Sequence, residues 1–189
     1  MDRVDDSAPK RADARRNQKA LLDAAAAVFV ASGVEAPIRD IAAKAGVGTA
    51  TIYRHFPTRA DLIIAVYRHQ VEALAEAGPA LLAASATPYA ALAEWLDRFV
   101  DFVITKQGLP AVLQSDDPCY DPLHSYFLER LVPVCTGLLE AAAAEIRGGL
   151  DAYELMRGIG GLCAGANSKH PYDARRLVGL LVAGLRRPD

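Results

Sequence analysis

IRDIAAKAGVGTATIYRHFPTRADLIIAVY, residues 38–67, contains two short helical patterns separated by a break at Gly46 and Val47. In the second, Thr49 to Phe56, a rotation of 100° per residue puts Ile52 and Phe56 on one face. Ala50 and Arg54 point the other way, with Thr51 and Tyr53 at the flanks. The result is a two-turn helix with an apolar underside and a small, polar and basic outer face. Ile41, Ala42, Ala45 and Val47 supply apolar partners on the preceding helix and turn, and Ala42 is small enough to let the helices cross closely. A short glycine-containing turn between two such helices is what a helix-turn-helix unit requires.

The outer face suits a DNA major groove. Thr49, Ala50 and Thr51 are small, so backbone can approach base edges. Threonine hydroxyls can bond bases or phosphates, and the methyl group can meet a thymine methyl. Tyr53 and His55 have donors for phosphate oxygens, and Arg54 has the reach for guanine or phosphate. Arg39 and Arg59 sit near the starts of the second and fourth helical segments, where helix dipoles also favour phosphate. Arg15 and Arg16, with Arg11, are placed to follow the backbone or enter the adjacent minor groove.

Outward from this stretch the pattern stays helical. Arg15 to Ser32 carries Leu22, Ala25, Val28 and Phe29 on one face and ends at Gly33, a left-handed cap. Pro37 suits the first turn of the helix Ile38 to Ala45. Thr58 and Asp61 have capping-box spacing at the start of a helix that Gly78-Pro79 is expected to end near Ala77. Beyond it, Pro88–Lys106, Leu123–Arg147, Leu150–Ala166 and Tyr172–Arg186 read as helices, with Pro133 expected to kink the second. Gly108 to Tyr120 reads as irregular. The expected fold is all-α with eight or nine helices: an N-terminal three-helix helix-turn-helix domain and a C-terminal helical ligand-binding and dimerisation domain. The expected bounds are a flexible basic arm at 1–14, the helix-turn-helix domain at 15–60 and the body at 61–189, with helix 58–77 as connector.

Charge is distributed accordingly. The whole chain of 189 residues has a net charge of −2, yet Lys10 to Arg59 holds nine basic and four acidic side chains, net +5, which leaves −7 for the rest. A basic segment on an acidic body is the asymmetry of a DNA-binding module joined to a regulatory one. With 52% hydrophobic and 23% charged residues the chain can bury a core without disulfides. The three cysteines, Cys119, Cys135 and Cys163, form no C-x-x-C pair, so no zinc or redox motif is indicated. Asp116, Asp117 and Asp121 lack the spacing of a metal site and read as solvated. The N-terminus has no apolar core of a secretory signal, and no run of about 18 apolar residues suggests a membrane span. A cytoplasmic protein without cofactor or metal is expected.

The residues quoted above carry a resemblance. LLDAAAAVFVASG, then IRDIAAKAGVGTATIYRHFPTRADLIIAVY, resembles the DNA-binding domain of TetR-family regulators over about residues 15–70. The resemblance implies a homodimeric transcriptional regulator, typically a ligand-responsive repressor, that contacts double-stranded DNA. It carries family DNA-contact positions onto Arg39, Thr49, Ala50, Thr51, Tyr53, His55 and Arg59, with Arg54 in a base-reading slot. Two positions depart from the pattern. Ala36 lacks the capping hydroxyl often found before the second helix, and Ala50 stands where many relatives have glycine.

In the body, Trp95, Phe99, Phe102, Tyr120, His124 and Phe127 are candidates to line a cavity for a hydrophobic small-molecule effector. Ordinary core is the competing reading of each. Met156-Arg-Gly-Ile-Gly-Gly-Leu-Cys-Ala-Gly-Ala166 places several glycines in one helix, at about 1 kcal/mol each relative to alanine. Close packing would offset that cost, either within the chain or in a four-helix interface between two copies. Relatives of the family dimerise through their last two helices, which implies an interface containing Met156, Gly160, Gly161, Leu177, Leu181 and Leu185. An all-α enzyme that merely contains a helix-turn-helix is the alternative class. The sequence offers no nucleophile-base pair, metal motif or phosphate loop to support it.

Overall fold

The computed structural model describes residues 7–108, 121–165 and 172–187. Side chains are described for residues 16–104, 123–164 and 172–187. Eight helices lie among these residues: α1 (Ser7–Ser32), α2 (Ile38–Ala45), α3 (Thr49–His55), α4 (Arg59–Ala84), α5 (Pro88–Gly108), α6 (Asp121–Ala141), α7 (Ala152–Gly165) and α8 (Ala174–Leu185). The irregular segment expected before Tyr120, Asp116, Asp117, Cys119 and residues 1–6 of the expected arm lie outside the described residues.

Two compact units divide between His69 and Gln70, so the boundary falls inside α4, nine residues beyond the expected one. In the first unit, α1 packs on α2 and α2 on α3. Leu22, Ala25, Val28 and Phe29 are all buried, as the periodicity of α1 requires. Its start differs from expectation: helix begins at Ser7, so residues 7–14, expected as part of an arm, are helical. Gly33 has φ +77° and donates its N–H to the Phe29 carbonyl at 2.9 Å, ending α1 in the left-handed cap expected of it.

In the second unit α5 packs against α6, α7 and α8. Trp95, Leu96 and Phe99 of α5 are fully buried. The Trp95 indole donates to the Leu74 carbonyl of α4 at 2.9 Å, which satisfies its one polar group in the core. Burial of each such side chain contributes about 1.5–3 kcal/mol.

The end of α4 departs from the sequence reading. Gly78-Pro79 does not stop the helix, which continues to Ala84. A Cβ at Gly78 would collide with Cγ1 of Val134 on α6, so the glycine admits a neighbouring helix. Helix α6 likewise runs through Pro133, but it ends at Ala141, earlier than expected. The chain then turns so that Arg147 donates to the Leu185 carbonyl at 2.8 Å and Arg187 to that of Glu145 at 2.9 Å. These bonds flank an isolated antiparallel bridge between Ile146 and Arg186, tying the end of α8 to the turn after α6.

Ion pairs join helices within this unit. Arg130 grips the Glu72 carboxylate in two hydrogen bonds, 2.7 and 2.6 Å, while the Tyr126 hydroxyl donates to the same carboxylate. Arg175 of α8 bridges Asp97 and Asp101, one turn apart on α5. Among the described residues no helix is long and apolar enough to cross a membrane.

Candidate nucleic-acid interface

The helix-turn-helix forms as its side-chain spacing dictates. Ile41, Ala42, Ile52 and Phe56 are buried, and Val47 is half-buried at the turn. Gly46 closes α2 at φ +68°, and the N–H groups of Gly46 and Val47 return to the carbonyls of Ala43 and Ala42 at 3.3 and 3.0 Å. This pair of bonds is a Schellman closure, which a Cβ-bearing residue at position 46 would strain. Extended backbone at Gly48 (φ −75°, ψ 148°) then starts α3.

With Ile52 and Phe56 turned inward, Thr49, Ala50, Tyr53, Arg54 and His55 are exposed and Thr51 is half-buried. Tyr53 is 53% exposed, unusual for a large aromatic side chain. His55 lies beside Phe56, ring centroids 6.1 Å apart. The N-terminus of α3 has no side-chain cap, and the Thr51 N–H donates to the Gly48 carbonyl at 3.0 Å. These six residues thus present hydroxyls, a phenol, an imidazole and a guanidinium, backed by the buried Ile52 and Phe56. Such a surface can donate to phosphates and to base edges.

The two flanking arginines differ. Arg39 is 81% exposed and has Asp40 as an ion-pair partner at 3.5 Å. Arg59 is half-buried, and its Nη1 donates to the carbonyl oxygens of both Val34 and Ala36, the latter at 2.9 Å. Pro37 is the N-cap of α2 and provides no side-chain cap, in keeping with the missing hydroxyl at Ala36. Thr58 and Asp61 form the expected capping box at α4: Thr58 N–H to the Asp61 carboxylate at 3.0 Å and Asp61 N–H to the Thr58 hydroxyl at 3.1 Å. Arg16 is exposed on α1, whereas the side chain of Arg15 lies outside the described residues.

The body residues separate into distinct groups. Trp95, Phe99, Phe102 and Phe127 are buried and stack in a chain with centroid distances of 5.8–6.4 Å. They form core. His124 is exposed and stacks on Phe127 at 6.1 Å; Tyr120 lies outside the described residues. An open groove of about 260 Å³ lies at the edge of this cluster, lined by Gln70, Ala73, Leu74, Ala77, Arg98, Asp101 and Phe102.

Of the interface candidates, Met156 is buried in the core, Gly160 and Leu185 are half-buried, and Gly161, Leu177 and Leu181 are exposed. Leu180, on the same surface of α8, is 61% exposed. A Cβ added at Gly158, Gly160, Gly161, Gly179 or Gly184 would meet nothing within 4 Å. Among the described residues, no tight contact inside the chain accounts for these glycines.

Sequence reading missed the Glu72–Arg130 and Arg175–Asp97/Asp101 pairs and the contact role of Gly78. The i, i+4 spacing of Asp97 and Asp101 was the one local signal available, since it places two carboxylates on one face of α5.

Comparison with known proteins places this architecture in a regulator class. The profile of bacterial regulatory proteins of the tetR family matches residues 21–66, and that of SbtR-like transcriptional regulator C-terminal domains matches residues 87–187. A TetR transcriptional regulator from Streptomyces coelicolor is similar at 35% identity and a TM-score of 0.75, over 89% of this chain and 98% of that one. A TetR transcription regulatory protein from Mycobacterium vanbaalenii is similar at 30% identity and a TM-score of 0.73, over 95% and 100%. The HTH-type transcriptional repressor LfrR of Mycolicibacterium smegmatis is 48% identical over 54 residues, 29% of this chain, and the match spans 28% of the repressor's own length.

The chain belongs to the TetR family and is a DNA-binding transcriptional regulator. Members of this family are generally transcription factors without enzymatic activity.

Proposed function

We propose that this chain is a ligand-responsive repressor that binds a pseudo-palindromic operator as a homodimer. The observation that carries the reading is the outer face of α3, where Thr49, Ala50, Thr51, Tyr53, Arg54 and His55 stand clear of a buried Ile52 and Phe56. Arg39 and Arg16 are exposed basic residues of the same unit. Repression as the sign of regulation is supported by the similarity of a 54-residue stretch to a repressor.

Dimerisation is supported by the surface of α7 and α8. Leu177, Leu180 and Leu181 expose apolar area beside glycines that leave room for a close partner helix. A twofold axis there would pair the α7 and α8 helices of two copies into a four-helix interface. Two recognition helices would then meet half-sites one turn apart, about 34–36 Å between centres.

The effector in this reading is a small hydrophobic molecule that enters beside the aromatic cluster through the groove of α4 and α5. Tighter binding to a conformation unable to engage both half-sites would release the operator. Helix α4 is the element through which the change passes, because it is common to both units.

Footprinting of the gene's own promoter region at moderate salt tests the reading. A protected inverted repeat is expected, together with raised reporter expression in a deletion strain. Absence of any protected repeat would defeat the proposal, and lowered expression would assign activation in place of repression.

A further inference from the structure

We propose that Asp101 is a switch residue shared by the effector groove and α8: a groove ligand that carries an N–H or O–H donor takes this carboxylate from Arg175 and loosens the N-terminal end of α8. The inference rests on the reading of the α4–α5 groove as the effector site.

Three observations carry it. First, one carboxylate serves two places. Asp101 lines the groove beside Ala73, Leu74 and Phe102. It also accepts a hydrogen bond from the guanidinium of Arg175, in the first turn of α8. Asp97 accepts from the same guanidinium and lines a different groove, between α5 and α8.

Second, the two ends of α8 are held differently. At the C-terminal end, the Leu185 carbonyl accepts from the Arg147 N–H at 2.8 Å and the Val182 carbonyl from the Tyr89 hydroxyl at 3.2 Å. The Arg187 side chain adds a bond to the Ile146 carbonyl at 2.7 Å. At the N-terminal end Arg175 makes the polar tie to α5, and both of its carboxylate partners are more than half exposed. Exposed ion pairs exchange partners at low cost. Tyr172 ties this end to α7 by donating to the Leu162 carbonyl at 2.6 Å, a bond that does not involve Asp101.

Third, the seam between α5 and α8 is incompletely filled. A groove of about 190 Å³ lies there, lined by Ala93, Val100, Val178 and Val182 as well as by Asp97 and Arg175. A Cβ added at Gly179, on the same seam, would meet nothing within 4 Å. The N-terminal half of α8 therefore has room to shift against α5.

The groove also defines the ligand. An ionised carboxylate only accepts hydrogen bonds, so the group that meets Asp101 must be a donor. The rest must be apolar, because Ala73, Leu74, Ala77 and Phe102 supply most of the lining. A cavity of about 150 Å³ holds benzene, so the effector groove, at about 260 Å³, has room for one substituted ring. Such a ligand binds more tightly when Asp101 is released, and so shifts α8 toward its loosened state. Leu177, Leu180 and Leu181 follow Arg175 within two turns, so the shift reaches the surface proposed for a second copy.

Benzylamine and toluene are suitable probes, the same ring with and without a donor. Amide chemical shifts of residues 70–77 report groove occupancy, and amide hydrogen exchange reports α8, both in the full chain. Arg175→Met is expected to speed exchange over residues 177–180 by about threefold or more, with residues 182–185 unchanged. Benzylamine should produce the same acceleration in wild type and in Asp97→Asn, and none beyond the starting rate in Asp101→Asn. Toluene should leave α8 unchanged.

Wild-type exchange over residues 177–180 in Arg175→Met would overturn the proposal, because the ion pair would then hold nothing. Benzylamine that shifts residues 70–77 but leaves α8 exchange unaltered would overturn it and leave the groove a site. An equal response to toluene, or a response retained in Asp101→Asn, would take the switch away from this carboxylate. If neither molecule shifts residues 70–77, the effector reading of the groove falls and this inference falls with it.

Discussion

Gly78 and Thr58 mark what single residues reveal before and after folding. Thr58 and Asp61 are three positions apart, and their hydrogen bonds join backbone and side chains within one helical turn. A contact that local is written in the spacing itself. Gly78 carries the same local signal whether it ends a helix or admits another helix. What decides between the two is Val134, far along the chain, and no periodicity near position 78 encodes it. Replacing Gly78 with Ala is expected to destabilise the body by about 1–3 kcal/mol, because Val134 is β-branched and has little rotamer freedom on a helix. Urea unfolding checks this, and Val134→Ala in the same chain should recover most of the loss.

Helices were legible where their apolar stripes were complete. The inward faces of α1, α2, α3 and α5 follow the 3.6-residue period, and the structure buries the residues that the period selects. Starts and stops were less legible. Polar residues at the head of α1 read as an arm, and the end of α6 was overestimated because its turn is fixed by bonds to Leu185 and Arg187, which are remote in sequence. The same holds for Glu72. Its hydrogen bonds from Arg130 and then Tyr126 hold its carboxyl below the usual carboxylate range. A carboxyl lowered in the folded state stabilises above the unfolded pKa and loses that contribution as pH falls. The melting-temperature gap between wild type and Glu72→Gln should therefore be widest at neutral pH and should narrow on acidification through the Glu range. Since Arg130 is exposed, salt should also shrink the gap.

At the scale of the molecule, the packing of α2 and α3 was readable, because they form a contiguous stretch whose inner and outer faces alternate at short range. The body was readable as architecture but less so as a site. Aromatics on α5 and α6 have the same sequence pattern whether they line a cavity or fill a core; in this fold Trp95, Phe99, Phe102 and Phe127 are buried, and Phe102 also lines the open groove. Exposed leucines on α8 are likewise silent in sequence about what covers them. Leu177→Asp with Leu181→Asp is expected to leave helix content unchanged and to convert a dimer to monomer in sedimentation velocity. Operator affinity should fall with the loss of the second half-site. A single species of unchanged mass would contradict the proposed interface.

The outer face of α3 is the centre of the account, and Tyr53 tests it most directly. Its side chain is exposed, so Tyr53→Ala should alter folding stability by no more than about 0.5 kcal/mol. The measurement is operator affinity of wild type and Tyr53→Ala at one fixed salt concentration, with melting temperatures recorded alongside. The predicted result is an unchanged melting temperature and a Kd raised about tenfold or more, as loss of a phosphate hydrogen bond in both halves of a dimer requires. Equal affinity in the two proteins would contradict the assignment of this face to DNA.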